Sequence, residues 1–261
     1  MLQVDSITKR FGGVVANSEV SFTVEEGQIV GLIGPNGAGK STMFNMISSV
    51  FPPTTGTITF QGTRIEKLPA YQVAPLGISR TFQNLQVFKN MTVIENVMVG
   101  QHMQTKTNLF GMASLLLGIT RKERKVYDQA MSYLAFFGLQ DIFDQKASSL
   151  SLGKLRLLEF ARAFATEPKL LLLDEIAAGL NHKETQEMSA LINKVRDTGV
   201  TVLVVEHDMD LVMSICDKLV VLDQGVKIAE GTPKEIQENE AVITAYLGAD
   251  IDEEEVEEEA I

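Results

Sequence analysis

Gly34-Pro35-Asn36-Gly37-Ala38-Gly39-Lys40-Ser41 follows an apolar run, Gln28 to Ile33, and leads into a helix-forming stretch. Its spacing is G-x-x-x-x-G-K-[ST], and the chemistry follows from the residue types. Glycines let the backbone close around an anion, the loop amides and the amino end of the next helix donate to it, and a lysine adds a point charge. Lys40 is therefore expected on the β- and γ-phosphates of a nucleotide, Ser41 on Mg²⁺, and Thr42 toward the α-phosphate. A glycine-rich strand-to-helix turn that binds nothing is the plain alternative. The strand before the loop and the helix after it favour the phosphate site.

The loop alone indicates a P-loop NTPase, a class that includes kinases, GTPases and recombinases. Farther along, Leu170-Leu171-Leu172-Leu173-Asp174-Glu175 reads as a buried strand ending in two carboxylates. Given the phosphate loop, Asp174 is expected to hold the metal through water, and Glu175 to polarise a water for attack on the γ-phosphate. Without that loop, the pair would be read as capping the next helix.

Around these two motifs the chain alternates. Ser21 to Val24, Gln28 to Ile33 and Thr57 to Phe60 are β-branched or apolar runs between Gly and Pro signals, and they predict strands. From about Met91 to Ala165 the pattern is helical, with capping-box sequences at Thr92–Glu95 and Thr120–Glu123, so an inserted helical subdomain is expected. From Leu170 onward strands and helices alternate again: Leu170 to Leu173, Glu184 to Asp197, Val200 to Val205, Met209 to Cys216, and Leu219 to Leu222. That order predicts a largely parallel sheet with crossover helices. A last helix should begin at Thr232-Pro233-Lys234-Glu235.

Bulk properties narrow the class. The 261 residues are 45% apolar, enough for one sizeable core or a core with a subdomain. The net charge of −11 is mostly local: residues 250–261 hold 8 of the 34 acidic side chains, which leaves 26 against 23 Lys and Arg. Such a block repels itself and is expected to be a disordered, solvated tail. No basic stripe suggests a nucleic-acid partner. The one cysteine, Cys216, permits no disulfide within the chain and is expected to be a buried structural thiol. Met1 to Asp5 lacks the basic and apolar regions of a secretory signal, and no stretch reads as a membrane span.

Leu150-Ser151-Leu152-Gly153-Lys154 precedes the acidic strand, and together with the phosphate loop it resembles the ATP-binding cassette of ABC transporters. The family signature is Leu-Ser-Gly-Gly-Gln; this copy keeps Ser151 and Gly153 and carries Leu152 and Lys154. A Ser and a Gly at a helix amino end form an anion site, which in the family closes over the γ-phosphate bound by the opposite subunit. The resemblance implies that ATP and Mg²⁺ are bound. It also implies adenine stacking by Phe11, with core packing as the alternative, and a Q-loop at Gln83, which ligates the metal or the attacking water. His207 matches the switch histidine on the γ-phosphate, and Ala177 to Asn181 match a loop at the dimer interface. Ile176 stands where the family usually has Pro, which puts the turn beside Glu175 in question.

The implied fold is an α/β P-loop cassette with a RecA-like parallel core, an antiparallel β edge from the first 25 residues and an inserted helical subdomain. Expected boundaries are residues 1–88 with 166–231 for the core, 89–165 for the helical subdomain, 232–249 for a terminal helix and 250–261 for the tail. Gly77 to Gln83, Gln101 to Arg124, Glu206 to Met213 and Ala245-Tyr246-Leu247-Gly248 resemble the larger ATPase subunit of high-affinity branched-chain amino acid importers. The implied partners are two permease chains, a second copy or a related ATPase subunit, and, indirectly, a substrate-binding protein. The implied location is peripheral, on the inner face of the cell membrane. The segment Asn84 to Asn90, with Leu85, Val87 and Phe88, is expected to receive a permease coupling helix.

Translation factors of the class need two cassettes in one chain, and this sequence has one. A GTPase needs Asn-Lys-x-Asp, whereas Asn193-Lys194-Val195-Arg196 ends in Arg, which cannot accept from guanine. Non-transport ABC ATPases of chromosome organisation carry long coiled coils, and no sustained heptads separate Lys40 from Leu150. An ATPase of a lipid or lipopolysaccharide exporter has the same motifs and stays open.

Overall fold

Strand formation near the amino terminus is driven by alternation, and the computed structural model, which describes residues 1–81, 84–101 and 121–247, shows where that alternation leads. In β1 (Leu2–Phe11) the side chains of Leu2, Val4 and Ile7 are buried while Gln3, Asp5 and Ser6 between them are exposed. β1 pairs antiparallel with β2 (Val14–Val24). The register slips between Val4 and Ile7, where Ser6 takes a positive φ of 48°, the mark of a β-bulge.

The chain forms two compact units, Met1–Leu76 with Ile192–Ile261, and Gly77–Leu191. In the first, β1 and β2 join β4 (Thr55–Phe60) and β5 (Thr63–Arg64) in an antiparallel sheet ordered β2-β1-β4-β5. A second layer has β3 (Ile29–Ile33) at its centre, buried at every position. β3 lies parallel to both β8 (Thr201–Val205) and β9 (Lys218–Asp223), while β10 (Val226–Gly231) folds back antiparallel on β9. Continuous apolar strands of this kind need both faces covered. The helices of this unit are α1 (Lys40–Ile47) and the short α2 (Ala70–Val73); α7 (Met209–Ile215) and α8 (Pro233–Gln237) come later in the chain.

The second unit pairs β6 (Ile78–Arg80) parallel with β7 (Leu170–Asp174) and carries helices α3 (Val93–Gln101), α4 (Arg121–Phe136) and α5 (Leu152–Phe164). Aromatic packing ties two of these together: Phe136 stacks on Phe164 with centroids 5.2 Å apart, and Phe137 meets Phe160 edge-on at 5.0 Å. Helix α6 (His182–Arg196) follows β7.

The expected parallel strands, crossover helices and antiparallel edge are all present. The edge also recruits residues 55–64. The capping boxes at Thr92–Glu95 and Thr232–Glu235 form with reciprocal bonds. The box expected at Thr120–Glu123 and the acidic tail lie outside the described residues or side chains. Among the described residues no helix is long and apolar enough to cross a membrane.

Candidate nucleotide site

Strand β3 delivers the loop 34–41 from its carboxyl end, the end at which parallel sheets place ligands. Gly34 has a φ of +147°, and a Cβ there would stand 1.9 Å from the Leu222 carbonyl oxygen, so no other residue fits. Lys40 is 6% exposed, and its ammonium donates to the carbonyls of Gly34 at 2.7 Å and Pro35 at 2.8 Å. A buried, positively charged tip thus sits inside the loop, where a phosphate would meet it. Asn36 and Gly37 are exposed, Ala38 is buried, and Gly39 caps α1 in a left-handed conformation with no side-chain cap bond. The amino end of α1 is thereby open to an anion, with Ser41 exposed and Thr42 half-buried at its first turn. Asn17 of β2, fully buried, supports the loop by donating to the Gly39 carbonyl at 3.4 Å.

Two other expected residues belong to this unit. His207 is exposed just beyond the carboxyl end of β8, the parallel neighbour of β3, so it shares the loop's edge of the sheet. Asp208 next to it caps α7 by accepting from the Leu211 N–H at 3.0 Å. Phe11 is 47% exposed, meets Phe51 edge-on at 5.4 Å and has the Lys9 ammonium 4.9 Å from its ring centroid. Core packing, the alternative for Phe11, is excluded by that exposure.

In the second unit, Asp174 ends the fully buried β7 and is itself 4% exposed. Its carboxylate accepts from the Arg80 guanidinium at 2.6 Å, and its N–H donates to the Thr81 hydroxyl at 3.1 Å. Arg80 stands in the sequence as one residue of the stretch Gly77 to Gln83; its bond to Asp174 spans 94 positions, and no local pattern announces it. Glu175 adopts a left-handed φ of +49°, which is rare for a residue with a Cβ and is the kind of strain found at functional positions. Ile176 behind it is fully buried and anchors the turn.

Ser151 is the exposed N-cap of α5, and its side chain makes no capping bond there. Gly153 is buried, and a Cβ on it would lie 2.5 Å from Oε1 of Glu184. That carboxylate is held by a reciprocal cap with Asn181 at the start of α6. Leu152, the departure from the family pattern, is 42% exposed and approaches Gly179 of the loop expected at a dimer interface. Gln83 lies outside the described residues.

The same unit holds an open groove of about 1260 Å³. Val87, Phe88, Met91, Met98, Val99 and Arg162 line it, and the Arg162 guanidinium stands 5.4 Å from the Phe88 ring centroid. Burial pushes the Arg162 pKa down. Of the three apolar residues expected to receive a partner, Val87 and Phe88 line this groove, and Leu85 is half-buried outside its lining.

Residues 17–178 match the family model for ABC transporters, and residues 226–252 match that for branched-chain amino acid ATP-binding cassette transporters. The chain is 46% identical to the high-affinity branched-chain amino acid transport ATP-binding protein LivG of Salmonella typhimurium, over 95% of this chain and 98% of that one. It is 34% identical to the lipopolysaccharide export system ATP-binding protein LptB of Escherichia coli, over 95% and 98% respectively. Among solved structures, the ADP conformation of an ATP-binding cassette of an ABC transporter superposes with a TM-score of 0.83 at 32% identity, covering 95% of this chain and 98% of that one. The loop geometry, the acid-terminated strand and these matches together make the chain a member of the ABC transporter family of ATP-binding cassettes.

Proposed function

We propose that this chain is the ATP-hydrolysing subunit of an importer for branched-chain amino acids, seated on the inner face of the cell membrane against two permease chains. The observation that carries the ATPase reading is the buried Lys40 ammonium held within the loop 34–41. The substrate class rests on the match over residues 226–252 and on LivG being more similar to this chain than LptB, the exporter protein that stands for the alternative.

Within this reading, the amides of Gly37 to Ser41 and the Lys40 ammonium bind the β- and γ-phosphates, and Phe11 offers its exposed ring to adenine. Ser41, Gln83 and Asp174 supply one hydroxyl, one amide and one carboxylate, a hard oxygen set that fits Mg²⁺ held chiefly by the phosphates. Among the described residues no cluster of three His, Cys, Asp or Glu forms a metal site of its own. Bound Mg²⁺ would neutralise phosphate charge. Glu175 accepts the proton of the attacking water, and His207 contacts the γ-phosphate. Ser151 and Gly153 close over the γ-phosphate of a facing subunit, either a second copy or a related ATPase chain.

The groove beside Phe88 receives a helix of the permease, and a substrate-binding protein acts from the other side of the membrane. Chain and permeases reconstituted in vesicles should hydrolyse ATP faster when the binding protein carries leucine, isoleucine or valine, and Lys40→Ala should abolish that rate. Single cysteines at Val87 or Phe88 should crosslink to the permease. Stimulation by a lipopolysaccharide or lipid substrate instead would transfer the chain to the exporters.

A further inference from the structure

The exposed ring of Phe11 is held by two side chains that have no part in the phosphate chemistry. Lys9, two residues earlier on β1, extends its ammonium to the Pro52 carbonyl at 2.7 Å. That ammonium stands 4.9 Å from the Phe11 ring centroid and 4.6 Å from that of Phe51. The two rings meet at 86° with centroids 5.4 Å apart, so the cation sits in the corner between them. Main-chain bonds back this corner: the Thr54 N–H donates to the Thr8 carbonyl at 2.8 Å, and the Arg10 N–H to the Thr54 hydroxyl at 3.0 Å.

The same hairpin reaches the phosphate loop. Lys9 pairs across it with Asn17, and the neighbouring Ala16 carbonyl oxygen would stand 2.4 Å from a Cβ on Gly39. Phe11 lies two residues beyond Lys9, about 7 Å at the rise of a strand. A base stacked on its ring is thus within a nucleotide's reach of phosphates in the loop 34–41. A cation over one face of an aromatic ring occupies that face and draws on the electron density of the whole ring. The opposite face is left for a ligand, made more attractive to an electron-rich purine, and the edge-on neighbour fixes its plane.

We propose that Lys9 and Phe51 are positioning residues of the nucleotide site, which hold and polarise the Phe11 ring so that it stacks on adenine. The proposal rests on the reading of Phe11 as the adenine platform and names what orients that platform. Both residues act through the ring, so ATP depends on them and a base-free polyphosphate does not.

Calorimetric titration of the full-length chain with ATP and with inorganic tripolyphosphate, each with Mg²⁺, separates the two effects. Lys9→Met keeps most of the stem and deletes the charge; it should raise the Kd for ATP about two- to fivefold, the worth of one exposed cation–π contact. Phe51→Leu should raise it about two- to tenfold, the worth of one aromatic pair. Neither should change the Kd for tripolyphosphate, and Lys9→Arg should restore ATP binding. In a Phe11→Ala background Lys9→Met should have no further effect on ATP, because the ring through which it acts is gone. An unchanged ATP Kd in either variant, an equal loss for tripolyphosphate, or a full effect of Lys9→Met without Phe11 would overturn the proposal while leaving the adenine platform in place. If Phe11→Ala alone binds ATP as tightly as the parent chain, the platform reading itself fails and the proposal with it.

Discussion

Cys216 ends α7 with its thiol 3.0 Å from where a Cβ on Gly31 would be, wedged between that helix and β3. Burial, aided by the charge of Asp217, pushes its pKa up to about 12. At pH 8 the reactive thiolate is then about one part in ten thousand. Iodoacetamide should leave the native chain unlabelled and modify it fully in urea; rapid native labelling would contradict the burial. The sign for stability follows from the raised pKa. The native state keeps the proton that the unfolded state gives up near the ordinary value, so this contribution is complete below about pH 8.5 and is lost as pH rises toward 12. Glu175 illustrates what a sequence withholds at this scale. Its carboxylate was legible as a candidate base from the strand that precedes it, but its left-handed φ comes from the turn it shares with the buried Ile176.

Among the elements, α5 carries the signature residues at its amino end and a fully buried carboxylate, Glu159, in its middle. Glu159 accepts from the Gln86 N–H at 3.1 Å and lies 3.8 Å from Arg156, so the segment leading into the groove is fastened to the signature helix. Glu159→Ala leaves Arg156 and the Gln86 amide to find other partners, and it should destabilise the chain by about 3 kcal/mol in urea unfolding. A loss under about 1 kcal/mol would mean that the carboxylate is not holding them. The helix starts at Thr92 and Thr232 were legible because a capping box is a four-residue pattern. Strand β10 was not anticipated. Its side chains are half exposed and lack clear alternation, although the Gln224-Gly225 turn, with φ of 44° and 81°, is a hairpin signal that could have found it. The Arg80–Asp174 bond and the Gly225–Ala38 bond join residues far apart in sequence, and only folding discloses such partners.

At the scale of the whole molecule, the candidate machinery is divided. The phosphate loop and His207 belong to one compact unit, and the signature, Asp174 and Glu175 to the other. The signature residues Ser151 and Leu152 are exposed, as a surface that serves a facing subunit would be. The central claim is that ATP itself joins two such surfaces and that Glu175 ends the union by directing hydrolysis. Glu175→Gln removes the base while leaving Lys40, Ser41 and Asp174 to bind nucleotide, so ATP should persist and hold the dimer closed. Size-exclusion chromatography of this variant is the most direct test. The variant should shift from monomer to dimer in ATP and Mg²⁺, and the shift should disappear when ADP replaces ATP. A variant that binds ATP yet elutes at the same monomeric volume with either nucleotide would contradict it.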